Sequence, residues 1–139
     1  MLMPWLHTEI AKLVNSRTLL PQPLTAERVE GRNYCTLIQD GALQACVGIR
    51  RVQWYQWEVY HLVVREGREG KGLGRKVYAL AEEKARAGGA GVLQCTIRAG
   101  NYRSSTFFRK QGWKRGVRFV NPDTGNLLWV WQKELGDGR

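Results

Sequence analysis

The residues best suited to chemistry lie between Trp57 and Arg86, in the stretch WEVYHLVVREGREGKGLGRKVYALAEEKAR. At its centre are three closely spaced glycines, Gly70, Gly72 and Gly74, with Lys71, Arg75 and Lys76 among them. Cations are disfavoured at a helix N-terminus, so a basic first turn after a glycine loop suits a bound phosphate. The flanking elements support this. Trp57 to Val64 is rich in Val, Leu and aromatic residues, the composition of a buried strand. Arg65 to Gly72 is a charged, glycine-punctuated turn. Apolar groups then recur at Leu73, Val77, Leu80, Ala81 and the stem of Lys84, the spacing of one helical face. Gly88-Gly89 suits a left-handed helix stop. Strand, glycine loop and helix in this order aim backbone N–H groups at an anion.

Two common phosphate sites are excluded by spacing. A P-loop needs Gly-Lys-Ser/Thr after four intervening residues, whereas Gly67 and Gly72 are followed by Leu73-Gly74. A dinucleotide fingerprint needs G-x-G-x-x-G and an acidic residue ending the next strand, and here that strand ends Ile97-Arg98.

The stretch resembles the GNAT superfamily of acyl-CoA-dependent N-acyltransferases, whose central motif is a strand followed by Q/R-x-x-G-x-G/A. The match is Glu69-Gly70-Lys71-Gly72-Leu73-Gly74, with Glu69 in place of Gln/Arg and Arg68 one residue earlier. A second segment, Asn101-x-x-Ser104-x-x-Phe107-Phe108-x-Lys110-x-Gly112-Trp113, resembles the family's N-x-x-(A/S)-x-x-(F/L)-Y-x-K-x-G-F. The two motifs stand in the family's order and spacing.

The resemblance implies an α/β fold of mixed, mostly antiparallel sheet, with flanking helices and a central splayed pair of parallel strands. It implies acetyl-CoA as cosubstrate, without a metal. Leu62, Val63 and Val64 would bond the pantetheine arm through their backbone. Glu69, Gly70, Lys71, Gly72, Leu73, Gly74 and Arg75 would hold the pyrophosphate, and Asn101, Ser104 and Phe108 would line the cofactor. Glu58 stands six residues before Val64, where several family members carry a catalytic glutamate. It is the expected base for deprotonating a primary amine. Tyr60 and His61 rank behind it, because strand alternation puts His61 on the face opposite Glu58. Phe108 occupies a position where the family commonly has a proton-donating tyrosine. Tyr102 lies a turn and a half earlier on that helix, and no acid is assigned.

The rest of the chain positions these groups. Its 139 residues are expected to form one domain with a sizeable core. Pro4 opens a helix with Leu6, Ile10, Leu13 and Val14 on one face, and His7 is a lone surface histidine. Thr25 caps a short helix ending at Gly31. The family's usual opening strand is missing or very short. Tyr34 to Ile38 and Leu43 to Arg51 alternate about Asp40-Gly41, a hairpin signal. Gly91 to Ile97 reads as a strand parallel to the first. Asn101 to Gln111 reads as a helix stopped at Gly112. Val117 to Val120 and Leu127 to Gln132 flank NPDTGN as a closing hairpin, with Trp129 and Trp131 packing on one face.

Cys35, Cys46 and Cys95 are spread through strands without a CxxC or His partner, so they read as buried thiols in a reducing compartment. No apolar run approaches the ~18 residues of a membrane span, and a cytoplasmic location is expected. Net charge is +10. From Arg98 to Arg118 there are seven Lys or Arg and no acid, a field that favours an anionic partner. Three readings follow: an acetyltransferase acting on a small-molecule or peptide amine, a GNAT-fold module that only binds CoA or nucleic acid, and acylation of a nucleic-acid-linked amine. A homodimer is left open.

Overall fold

The computed structural model describes residues 3–136. The elements run α1 (Pro4–Arg17), α2 (Ala26–Glu30), β1 (Asn33–Gln39), β2 (Ala42–Gln53), β3 (Gln56–Val64), α3 (Leu73–Ala87), β4 (Val92–Arg98), α4 (Tyr102–Lys110), β5 (Lys114–Val120) and β6 (Leu127–Glu134). The strands form one six-stranded sheet in the order β1-β2-β3-β4-β6-β5. β3 and β4 are parallel, with Gln56, Trp57 and Glu58 opposite Val92, Leu93 and Gln94. The β1/β2, β4/β6 and β5/β6 pairs are antiparallel. This is the mixed sheet with flanking helices that the two motifs imply. Among the described residues no strand precedes α1, as expected. The chain divides into two compact units, residues 3–50 with 59–84 and residues 51–58 with 85–136.

In the first unit, α1 starts at Pro4 and buries Leu6, Ile10, Leu13 and Val14, the stripe its spacing predicts. They pack with Leu24, Val29, Tyr34, Leu43, Cys46 and Val63. Asn15 clips the following loop down: its amide donates to the Leu24 carbonyl and accepts from the Leu24 N–H, both at 2.8 Å. Thr25 caps α2 by accepting from Arg28 N–H. Asp40 and Gly41 both have positive φ, 54° and 75°, the backbone of a tight two-residue hairpin turn.

The face of α3 departs from expectation. Leu73, Val77 and Ala81 are buried, but Leu80 is 41% exposed and Lys84 points outward. Tyr78 and Ala85 complete the buried stripe instead. The core follows the i, i+4 row 73-77-81-85, which turns Leu80 and Lys84 to its outer side.

In the second unit, Trp57 lies beneath the end of α3, where a Cβ on Gly88 would come within 2.5 Å of the indole. Gln94 Oε1 accepts from Gln56 at 2.8 Å and Gln132 at 3.0 Å, joining β3, β4 and β6 by side chains. Trp131, Leu93, Ile97, Phe108 and Trp113 are buried. All three cysteines are free thiols. Burial pushes Cys46 and Cys95 up to about 12, the latter with help from the Glu58 carboxylate, and raises Cys35. None is a thiolate at neutral pH.

Alternation fails at one place in β3, and this corrects the reading of His61. Its φ is +50°, left-handed backbone in the middle of a strand. Consecutive side chains normally alternate faces, yet Tyr60 and His61 both pack on Tyr34. Tyr60 meets it edge-on at 5.7 Å and His61 stacks on it at 6.2 Å. Tyr34 Oη and His61 Nδ1 are hydrogen-bonded at 2.8 Å. Ranking His61 by strand parity therefore does not hold. The imidazole is pushed down to about 4, first by burial and then by the Arg32 guanidinium, so it is neutral at pH 7.

Two outcomes follow from this packing. Gly48 on β2 sits beneath the Tyr60 ring, and any Cβ there would overlap it. Gly48→Ala should cost ~1–3 kcal/mol, the range for overpacking, whereas Gly31→Ala, whose Cβ meets only the Arg28 carbonyl at 3.8 Å, should be near neutral in thermal unfolding. The second outcome concerns pH. His61 has a folded pKa of about 4 against an ordinary 6.5, so below pH 6.5 the unfolded chain takes up a proton that the folded chain refuses. Melting temperature should fall as pH drops from 6.5 to 4. His61→Asn, which tolerates positive φ, should flatten that part of the profile; an unchanged slope would place the titrating group elsewhere.

Candidate functional site

The first unit carries the glycine loop and the β3 end of the predicted site. Leu62, Val63 and Val64 end β3, and the Arg65 N–H donates to the Gln44 carbonyl at 2.8 Å, fixing where the loop departs. The chain then turns on an Arg68 N–H to Arg65 carbonyl bond at 3.0 Å. Gly67, Gly70 and Gly72 have φ of 84°, 77° and 76°, a conformation open to glycine at little cost. A Cβ on Gly72 would meet nothing closer than Arg75 Nη2 at 3.8 Å. The loop's demand for glycine at this position is thus conformational rather than steric.

Helix α3 takes its first turn from the Lys76 N–H to Gly72 carbonyl bond at 3.1 Å. The N–H groups of Leu73, Gly74 and Arg75 precede that bond and have no intrahelical acceptor. The first turn holds no acidic residue, and Lys71, Arg75 and Lys76 are exposed around it. Unspent N–H groups, a helix dipole and three cations at one loop make a cradle for an anion.

Glu69, the departure from the family motif, has an identifiable partner. Arg17 in the last turn of α1 pairs with it, Nη2 to Oε2 at 3.2 Å, and each side chain is about one quarter exposed (25% and 26%). The pair balances the carboxylate's charge beside the cradle and ties α1 to the loop. Sequence reasoning missed Arg17. It stands 52 residues from Glu69, and a lone cation at a helix end carries no motif.

The second unit holds the remaining predicted residues. Glu58 lies in the paired part of β3, opposite Gln94, and is half-buried. Asn101 caps α4, its side chain accepting from the Ser104 N–H at 3.2 Å, while Ser105 Oγ donates to the Asn101 carbonyl at 3.0 Å. Ser104 is half-buried. Phe108 is buried, edge-on to Phe107 at 5.3 Å and to Trp113 at 4.9 Å. Tyr102 is 79% exposed. Among the described residues there is no group of three or more His, Cys, Asp or Glu able to hold a metal. No helix among them is long and apolar enough to cross a membrane.

Comparison with known proteins agrees with this geometry. Several solved structures share the fold. One is yncA from Salmonella typhimurium, described as an acetyltransferase and solved with its cofactor acetyl-CoA: TM-score 0.83, 17% identity, covering 98% of this chain and 92% of that one. A second is the ribosomal-protein-alanine N-acetyltransferase from Brucella melitensis, with TM-score 0.74, 21% identity and coverage of 95% and 93%. A third is an aminoglycoside 6′-N-acetyltransferase complexed with coenzyme A, with TM-score 0.80, 15% identity and coverage of 95% and 92%. Sequence comparison with curated proteins finds no match. The sequence model of the acetyltransferase (GNAT) family matches residues 3–113, a span that takes in both motifs. The chain belongs to the acetyltransferase (GNAT) family.

Proposed function

We propose that this protein is an N-acetyltransferase that moves the acetyl group of acetyl-CoA directly to a primary amine. The observation that carries the reading is the cradle at Gly70–Arg75, where left-handed glycines lead into a helix start free of acids. Membership of the acetyltransferase family supports it, as do structural neighbours solved with acetyl-CoA or CoA. In this reading the pyrophosphate takes the unspent N–H groups of α3, and the backbone of Leu62, Val63 and Val64 orients the pantetheine arm. Neighbours that act on aminoglycosides and on a ribosomal-protein alanine support an amine acceptor.

The chemistry asks for a base and a leaving group. An alkylamine resembling lysine has a pKa near ~10.4, so it arrives protonated and must lose that proton before attacking the thioester. Glu58 takes the base role, directly or through one water. Attack forms the C–N bond, the bonded nitrogen then gives up its remaining excess proton to water, and collapse breaks the C–S bond. Phe108 offers no proton to the departing sulfur, and its packing between Phe107 and Trp113 commits it to the core. A thiol pKa near ~8.5 lets the sulfur leave as thiolate.

Two tests address the two halves. Acetyl-CoA should raise the melting temperature, and Gly72→Val, which forces a β-branched residue to positive φ, should remove that shift while the fold persists. Native protein showing no shift with millimolar acetyl-CoA would overturn the reading. Glu58→Gln should lower kcat about 100-fold, the usual scale of general-base catalysis, and leave KM for acetyl-CoA unchanged. An unaltered pH–rate profile in that variant would assign the base elsewhere.

A further inference from the structure

The second unit carries a cationic surface that acetyl transfer leaves unused. Strand β5 lies at the sheet edge, and every residue from Lys114 to Val120 is exposed. Its pairing with β6 jumps from Arg115 opposite Trp131 to Arg118 opposite Trp129, so Gly116 and Val117 together face Val130. Two residues against one is a bulge, which re-aims the side chains beside it. Arg115 and Arg118, three apart, would stand on opposite faces of a regular strand. Here both guanidiniums lie over the same indole, 4.1 and 5.7 Å from the centre of the Trp129 ring. Next along β6, Arg109 from α4 lies 5.3 Å from the centre of the Trp131 ring. Three arginines are thus held against two tryptophans, within a segment of seven cations and no acid.

Charges on an edge strand commonly serve to block edge-to-edge association. That explains their presence but not their convergence. Blocking is best served by cations spread apart in water, whereas two on one ring repel each other. Contact with the indole also restrains side chains that would otherwise be mobile, which lowers the cost of ordering them around a ligand. An anion bound between their N–H donors would offset the repulsion further than the ring alone does.

We propose that the β5–β6 face, centred on Arg115, Arg118 and Trp129, binds single-stranded nucleic acid. A guanidinium held over an indole, as Arg115 is at 4.1 Å from the Trp129 ring centre, keeps N–H donors and planar surface available to a ligand. Phosphate oxygens match the donors, and an unstacked base matches the planar surface. An acidic peptide would use the donors alone, and a duplex keeps its bases stacked. The proposal stands on the second unit alone and is independent of the acetyl-transfer reading.

The test uses the full chain and a fluorescein-labelled 15-nucleotide oligouridine, with binding read by anisotropy. Binding is expected at ~50 mM salt, with a log–log salt slope near −2, since three guanidiniums each neutralising one phosphate contribute ~0.7 apiece on single strands. Arg115→Glu with Arg118→Glu should weaken binding at least tenfold. Arg115→Lys with Arg118→Lys, which keeps the charge and loses the plane, should weaken it several-fold, as should Trp129→Leu. Melting temperature of each variant separates unfolding from loss of binding, and the lysine pair tests the idea even if the reversal unfolds the protein. The proposal is overturned if native protein does not bind, if the lysine pair binds like native protein, or if polyglutamate of equal charge competes as well as oligouridine.

Discussion

The passage from Val64 to Leu73 constrains this molecule most. Eight residues must turn the chain out of a half-buried strand and into the first turn of a helix. They do so through left-handed backbone at Gly67, Gly70 and Gly72. A β-carbon disfavours that conformation by roughly 1–2 kcal/mol per residue, so the side chains are given up for the turn. Peptide N–H groups come forward in their place, at the positive end of a helix. A segment so arranged attracts anions whatever its side chains. Exposed Lys71, Arg75 and Lys76 add to it, and Arg17 offsets the carboxylate that Glu69 brings into its neighbourhood.

Strand β3 feeds that loop and itself contains a left-handed residue, His61, which has a β-carbon and must be held there. The Tyr34 phenol holds it, by the hydrogen bond and by stacking. Left-handed backbone at a non-glycine residue costs on the order of 1–3 kcal/mol and persists where the surroundings fix it, which is most often near functional sites. In this chain it stands between Glu58 and the residues proposed to orient pantetheine. A neutral imidazole suits the position, because burial disfavours its charged form and the nearby Arg32 guanidinium adds to that.

At the far edge of the sheet the same element does two jobs. Strand β5 exposes Val117, Phe119 and Val120, which would favour pairing with another chain. The bulge and the cations on the strand oppose that. The bulge also gathers Arg115 and Arg118 onto Trp129, and so turns an edge-protecting charge into an ordered cluster. Composition alone reports the cations and is blind to this order.

Much of the fold was legible in the sequence because short-range physics decided it. The i, i+4 stripe of α1, Thr25 as a helix cap, Asp40-Gly41 as a hairpin turn and the glycine loop before Leu73 all involve residues a few positions apart. Their side chains or φ angles act on neighbouring backbone. The face of α3 was less legible, because Leu80 and Tyr78 both suit a helix and only tertiary packing could choose between them. Three features depended wholly on tertiary structure. Arg17 meets Glu69 across 52 positions and Tyr34 meets His61 across 27, and neither pair leaves a local pattern. The convergence of Arg115 and Arg118 needed the register of β5 on β6, which a bulge shifts by one residue. Sequence determined most of the elements and the glycine loop before α3. Packing decided which charges are paired, where alternation breaks, and which arginines share a ring, because these depend on chain segments that meet only after folding.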